Sequence, residues 1–384
     1  MRVVNLSQRA TPIGLEVVQS SAAELLMSIL ALGDLLGLTK DVNTYDMGKE
    51  RLEELRNKAS DDLLEEIEAL FGGPGTLGET CGKLLANLFG YILDSGPEYD
   101  VDTFLGKLET SEPTEVLLAL VGYHGQHRAA PAEVIRDAVE GDPDAQTTLV
   151  EGARVKWGEN DGLVLALEHV LKLGPEPVQR GLVTALRRWD EEVFGLYEGE
   201  ALPIMERDYR AKLKMSRELS LERTIELATN GIQFAAEPWV RRIFMAPTYI
   251  LRPWVLLTEH RDVMIYIFPV SDDSLGVDES VPPPQLVKLY KALGDANRLR
   301  LLKRLAAGSM TLREATDLLG SAKSTAYHHL AILRQAGLVW VREGEDKTYT
   351  LRDDLIPQAS ELLQSFLHPG FTTTSGNVRS IAPS

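Results

Sequence analysis

Residues 311–351 read TLREATDLLGSAKSTAYHHLAILRQAGLVWVREGEDKTYTL. Two of the three glycines in the stretch, Gly320 and Gly337, are each placed where a helix would stop. Before the first, Thr311 and Glu314 stand three apart, the spacing of a capping box, so 311–319 is predicted to be a helix. Ser321 is expected to cap a second helix that runs to Gly337. Beyond it, LVWVREGEDKTYTL alternates apolar and polar residues on both sides of 343–346, which predicts a two-stranded hairpin. At about 100° per residue, Ala326, His329, Leu330, Leu333 and Ala336 share one side of the second helix. Lys323, Ser324, Tyr327, His328, Ala331, Arg334 and Gln335 share the other. The adjacent histidines therefore face apart: His329 falls on the packed side or its border, His328 on the polar side.

Working upstream, QLVKLYKALG (285–294) and DANRLRLLKRLAAG (295–308) each read as a helix ended by glycine. Downstream, LIPQASELLQSFL is an amphipathic helix. Helix, helix, short turn, helix and hairpin is the order of a winged helix-turn-helix domain, in which the second helix of the motif lies in the DNA major groove. The polar face suits that role. Lys323 and Arg334 can neutralise phosphate or reach guanine, while Ser324, Tyr327, His328 and Gln335 supply hydrogen bonds. Ala331 is small enough for close approach, and Thr325 is expected towards the packed edge, touching backbone near the helix start. A mixture of Lys, Ser and Arg also suits a plain solvated face; the surrounding element order favours the DNA surface. Glu343, Glu345 and Asp346 at the hairpin tip would repel phosphate, which leaves Arg342 and Lys347 to reach the backbone.

The chain of 384 residues holds 40 Lys+Arg and 57 Asp+Glu, a net charge of -17 that by itself argues against nucleic acid. Its distribution argues otherwise: 285–356 carries 12 basic and 8 acidic residues, a surplus of +4, and the remainder carries 28 and 49, a net of -21. A small basic module is thus joined to a large acidic partner. No apolar run reaches the ~18 residues of a membrane span, and the N-terminus lacks a secretory pattern, so a cytoplasmic protein is expected. Cys81 is the only cysteine, which excludes intrachain disulfides and thiolate clusters.

The expected organisation is a helical N-terminal domain with a small sheet (1–270), a linker (271–284), the winged helix-turn-helix domain (285–368) and a disordered tail (369–384), mainly α overall. Val3, Val4 and Leu6 suggest a short strand. SSAAELLMSILALGDLLG predicts a helix capped by Ser20 or Ser21. The stretch from Ile232 to Val270 is rich in β-branched and aromatic residues and broken by prolines, so a small sheet is predicted there. SDDSLGVDESVPPP has a linker's composition.

Candidate sites elsewhere are few. HGQH (124–127) has a spacing compatible with a metal on a helix, but Gly125 and Pro131 favour a loop and no third ligand is evident. FGGPGTLG lacks the Lys-Ser/Thr of a phosphate loop. Cys81 reads as a small core residue. Trp239, Tyr249, Trp254 and Tyr266 suit the core of the sheet better than an apolar ligand pocket. No nucleophilic constellation is defensible, so no catalytic residue, metal or cofactor is assigned.

The pieces ALGDANRLRLL, TLREATDLLGSAKSTAYHHL, LRQAGLV and TYTL together resemble the ArsR-type winged-helix transcription regulators, over about the last fifth of the chain. The larger N-terminal part resembles long-form regulators whose big domain has a poorly defined role. The resemblance implies a homodimer on a two-fold double-stranded DNA operator, a repressor released by an effector, and no enzyme. Carried over by position, Lys323, Ser324, Tyr327 and His328 fall where the family contacts bases. Many members sense metals through cysteines in the helix matching 311–319, which has none here; the last helix offers only Glu361 and His368, seven apart. Leu355, Ala359, Leu362, Leu363, Phe366 and Leu367 form an apolar stripe suited to dimerisation, or to docking on the N-terminal domain. The N-terminal domain would sense an unknown small molecule or protein, or set the dimer's geometry. The alternative from another class is a protein-interaction adaptor whose winged helix binds protein rather than DNA.

Overall fold

The computed structural model describes residues 13–33, 45–72, 83–157, 161–235, 237–276, 282, 284–342, 347–352, 359–360, 363–364 and 366–367. The strand expected near 3–6, Cys81, the 73–78 turn, the hairpin tip 343–346, Leu355, Glu361, Leu362, His368 and the tail lie outside them. In chain order the elements are β1 (Gly14–Val17), α1 (Ser21–Leu32), α2 (Lys49–Arg56), α3 (Asp61–Phe71), α4 (Lys83–Asn87), α5 (Phe89–Asp94), α6 (Val101–Thr110), α7 (Pro113–Leu120), α8 (Ala132–Val139), α9 (Pro143–Trp157), α10 (Asp161–Leu173), α11 (Pro175–Glu192), α12 (Glu198–Glu218) and α13 (Leu221–Ala228). There follow β2 (Ile232–Gln233), β3 (Arg242–Thr248), β4 (Leu256–His260), β5 (Val263–Pro269), α14 (Pro284–Leu293), α15 (Ala296–Leu305), β6 (Met310–Thr311), α16 (Leu312–Leu319), α17 (Lys323–Gln335), β7 (Val339–Arg342) and β8 (Thr348–Leu351). The chain is mainly α, as expected. It divides into two compact units: Met1–Thr224 with Ala236–Ser274, and Ile225–Ala235 with Leu275–Ser384.

In the first unit α1 is the central helix. SAAELLMSILAL is apolar on every side, and each position from Ala22 to Leu32 is buried. Ser20 caps it, its Oγ accepting from Ala23 N at 3.0 Å. The polar side chains of α1 are bonded: Ser28 Oγ accepts from the buried Trp189 indole at 2.8 Å. The Glu24 carboxylate accepts from Thr248 Oγ1 at 2.6 Å and from the amides of Tyr249 and Ile250 at 3.0 and 2.8 Å. One α1 carboxylate thus gathers the chain just past β3, where it leaves the sheet.

That sheet has the order β1-β3-β5-β4, with β1, β3 and β5 parallel and β4 antiparallel to β5. Strand β3 is buried at every position after Arg242, as expected of a parallel strand covered on both faces. Tyr266 and Trp254 are core residues at 1% and 7% exposure, in agreement with the packing reading, whereas Trp239 and Tyr249 are only half-buried. Strand β1 was not legible, since GLEV is too short to carry a pattern. HGQH is a loop: the amides of Gln126 and His127 both donate to Glu259 Oε1, at 2.7 and 2.8 Å. Its histidines diverge, His127 to Glu259 and His124 to the ring of His260, 5.0 Å away. Among the described residues no group of three or more His, Cys, Asp or Glu could hold a metal.

Two boundary expectations change. The sheet predicted over 232–270 is split, because β2 pairs with β7 of the second unit. The expected linker also begins later: Asp208 Oδ1 accepts from Ser271 N, Ser271 Oγ and Ser274 Oγ at 2.8, 2.6 and 3.0 Å, holding a 3-10 turn at Asp272–Leu275. Arg252, buried, adds ion pairs to Asp46 at 3.3 Å and to Asp272.

Burial pushes Glu24 up to about 7, against the pull of its donors. As pH rises from 4.5 to about 7 the unfolded chain releases a proton that the folded chain keeps, so stability falls. His260, pushed down to about 4 by burial with help from His124 and Arg261, acts in the opposite sense: stability falls as pH drops from 6.5 to about 4. Denaturant midpoints of the full chain between these limits should lose the first trend in Glu24→Gln and the second in His260→Gln. Glu24→Ala, which orphans the buried Ile250 amide and Thr248 hydroxyl and the part-buried Tyr249 amide, should cost roughly 2–4 kcal/mol.

Candidate nucleic-acid interface

The second unit is built around one core in which Leu289, Leu301, Leu305, Met310, Ala326, Leu330, Leu333, Leu338, Val341 and Tyr349 are buried. Its helix ends are closed by side chains. Asp295 caps α15, accepting from Arg298 N at 2.9 Å. Arg298 turns back to donate to the carbonyls of Ala292 and Lys291, both at 2.8 Å, at the end of α14. The capping box predicted for α16 is present, with Glu314 Oε2 accepting from Thr311 N at 2.7 Å and Gly320 left-handed at φ 61°.

Helix α17 starts at Lys323, with Ala322 rather than Ser321 at the N-cap and no side-chain hydrogen bond there. The first-turn amides of such a helix are open to an anion. Lys323, Ser324 and Thr325 are exposed on that turn, and Tyr327 and His328 are half-buried just behind it. Thr325 is therefore outward, not at the packed edge. His329 is a border residue, its Nδ1 3.8 Å from Asp295 Oδ1 and its ring held below the ordinary histidine range by burial, with Asp295 opposing.

The later turns of α17 depart from the helical wheel. Ala331 is 6% and Arg334 8% exposed, and Gln335 is half-buried. Arg334 Nη1 donates to Thr229 O at 2.9 Å, and Asn230 Nδ2 donates to Gln335 O at 2.6 Å. The Arg334 side chain and the Gln335 carbonyl are thus occupied against the segment Ile225–Ala235. The wheel placed them correctly on one face; it could not show that a remote segment covers that face. A signal was there, in Thr229-Asn230-Gly231 after a helical run, an Asn-Gly pair suited to left-handed backbone.

The hairpin β7–β8 forms as expected, with Val339 opposite Leu351 and Arg342 opposite Thr348. Strand β6 pairs with β8, and β2 lies parallel to β7, giving the order β2-β7-β8-β6. Arg342 is exposed at the end of β7, and Lys347 is half-buried before β8. Of the described candidate residues, those exposed are therefore Lys323, Ser324 and Thr325 on the first turn of α17 and, on the wing, Arg342.

A three-helix module with an exposed helix start and an adjoining β-hairpin defines the winged helix-turn-helix class of DNA-binding modules. Residues 293–342 match the model described as a helix-turn-helix domain. Over 78 residues the chain is 40% identical to an uncharacterized HTH-type transcriptional regulator of Methanocaldococcus jannaschii, covering 20% of this chain and 88% of that protein. It is 32% identical over 88 residues to the cadmium resistance transcriptional regulatory protein CadC homolog of Staphylococcus aureus, covering 22% and 71%. It is 28% identical over 83 residues to the transcriptional repressor SdpR of Bacillus subtilis, covering 21% and 92%. Through this C-terminal module the chain belongs to the ArsR-type helix-turn-helix transcription regulators. Among the described residues no helix is long and apolar enough to cross a membrane.

Thr311→Ala should lower the second unit's stability by about 1 kcal/mol, read as an earlier unfolding transition. Glu314→Gln, which keeps the acceptor facing Thr311 N, should lower it less.

Proposed function

We propose that the chain is a cytoplasmic transcription regulator that binds a two-fold double-stranded DNA operator as a homodimer and represses. The first unit senses a small-molecule or protein effector or sets the dimer's geometry. The observation that carries the reading is the exposed first turn of α17, Lys323, Ser324 and Thr325, in a module whose relatives are transcription regulators. Lys323 and the helix N-terminus favour phosphate, and Ser324, Thr325, Tyr327 and His328 supply hydrogen bonds to base edges. Arg342 and Lys347 reach the backbone from the wing.

Repression is supported by the function that the name of the Bacillus relative states. The cadmium link in the name of the Staphylococcus relative does not carry over, because α16, LREATDLL, has no cysteine. Dimerisation is supported by apolar side chains open to solvent in the second unit. Tyr290 on α14 is 43% and Leu367 58% exposed. Tyr290 Oη lies 3.5 Å from Ala359 O, so α14 neighbours Ala359 of the C-terminal stripe. A two-fold partner would cover them.

The test is selection of bound duplexes from a random library of roughly 30 bp, long enough for two half-sites a helical turn apart, by the unmodified chain, followed by mobility shifts at graded salt. Lys323→Ala with Arg342→Ala should weaken binding to the selected duplex and reduce the slope of log K against log salt by roughly 0.9 for each phosphate no longer neutralised. Tyr290→Asp with Leu367→Glu should yield a monomer in sedimentation and weaken binding further. Failure to enrich any duplex at low salt would remove the regulator reading. Recovery of a stable protein complex in its place would select the adaptor.

A further inference from the structure

The segment Ile225–Ala235 lies far upstream of the winged helix in sequence, yet it is part of the same unit. Its build is specific. Helix α13 ends in a turn where Thr229, fully buried, donates its hydroxyl to Ile225 O at 2.7 Å and accepts from Ile232 N at 3.1 Å. Asn230 is left-handed at φ 50° and Gly231 has φ 112°. A Cβ on Gly231 would stand 3.0 Å from the Trp340 ring and 3.1 Å from Val339 O, so only glycine brings the backbone this close. Gly231 O then accepts from Val341 N at 2.9 Å, and β2 runs beside β7 with Ile232 opposite Val341. The Trp340 ring also carries the Arg352 guanidinium, 4.3 Å from its centroid.

This turn also reaches α17. The last carbonyls of a helix have no partner within it. Here Gln335 O is taken by the Asn230 side chain at 2.6 Å and Ala336 O by Gln285 Nε2 at 3.1 Å. The buried Arg334 guanidinium returns a hydrogen bond to Thr229 O at 2.9 Å. The C-terminal end of the helix is therefore tied reciprocally to one three-residue turn, while its first turns stay open.

We propose that Asn230 and Arg334 are positioning residues for DNA reading: by tying the end of α17 to the turn at Thr229–Gly231 they fix the angle at which Lys323, Ser324 and Tyr327 meet the duplex. The proposal rests on the reading of this unit as DNA-binding. It assigns to Arg334 an internal hydrogen bond where its charge and helical position suggest a phosphate contact.

The two roles separate by salt dependence. With the duplex selected by the unmodified full chain as probe, Arg334→Gln and Asn230→Gly should each weaken binding about tenfold, the effect of removing one hydrogen bond to a charged or buried group. The slope of log K against log salt should stay unchanged in both. Asn230→Gly preserves the left-handed backbone and removes only the amide. A slope reduced by about 0.9 in Arg334→Gln, the signature of a phosphate that the arginine had neutralised, would overturn the proposal. So would unmodified affinity in Asn230→Gly. Should Arg334→Gln fail to fold by circular dichroism, Arg334→Met, also neutral, takes its place, with the same two outcomes. Hydrogen exchange provides a readout without DNA: Asn230→Gly should speed exchange in 330–338 and leave 300–306 unchanged, and equal protection in both chains would overturn the tie. If no duplex is selected at all, it is the DNA-binding reading that fails, and the exchange result still decides whether the turn holds the helix.

Discussion

The second unit depends on the commitment of one face of α17 to the core. Ala326, Leu330 and Leu333 are fully buried, and burying each leucine contributes on the order of 2 kcal/mol. That commitment fixes the helix's rotation about its axis, and so decides which side chains can meet another molecule. At the start of the helix the opposite side is open, and Lys323, Ser324 and Thr325 are exposed. Near its end Thr229 and Asn230 hold Arg334 and the Gln335 carbonyl, and both Ala331 and Arg334 are buried. The candidate residues left exposed are consequently few, confined to the opening turn of the helix and Arg342 on the wing.

Much of this was legible because local chemistry and tertiary packing agree in the C-terminal module. Thr311 with Glu314 announced a cap that the structure forms, Gly320 and Gly337 stand where helices stop, and the alternation in LVWV and KTYTL produced the hairpin. The failures over Arg334, β2 and Ser271 share one cause, pairing with residues distant in sequence. Nothing in KSTAYHHLAILRQ says that Arg334 will find Thr229, 105 positions away. Nothing in IQF separates a strand of one sheet from a strand of the other, since β propensity does not name a partner. Ser271 looked like the start of a linker by composition; the buried Asp208 that holds it lies 63 residues earlier.

The first unit shows how a largely apolar interior accommodates a few charges. Glu24, Asp208 and Arg252 are each buried, and each receives or gives several hydrogen bonds. Leaving such groups without partners is costly, so each defines a geometry that neighbouring loops must keep. Glu24 orders the exit from β3, and Asp208 the exit from β5.

The strand β2 has a consequence for how the polypeptide is made. The second unit draws on two separate stretches, with Ala236–Ser274 of the other unit between them. During synthesis Ile232 and Gln233 leave the ribosome long before Val341 and Arg342, their partners in the ladder. Pairings so distant along the chain form slowly because loop closure precedes any gain. The nascent protein must therefore carry β2 unpaired until β7 has emerged, and the end of α17 meets its anchor at Thr229–Gly231 only once 334–341 has been made.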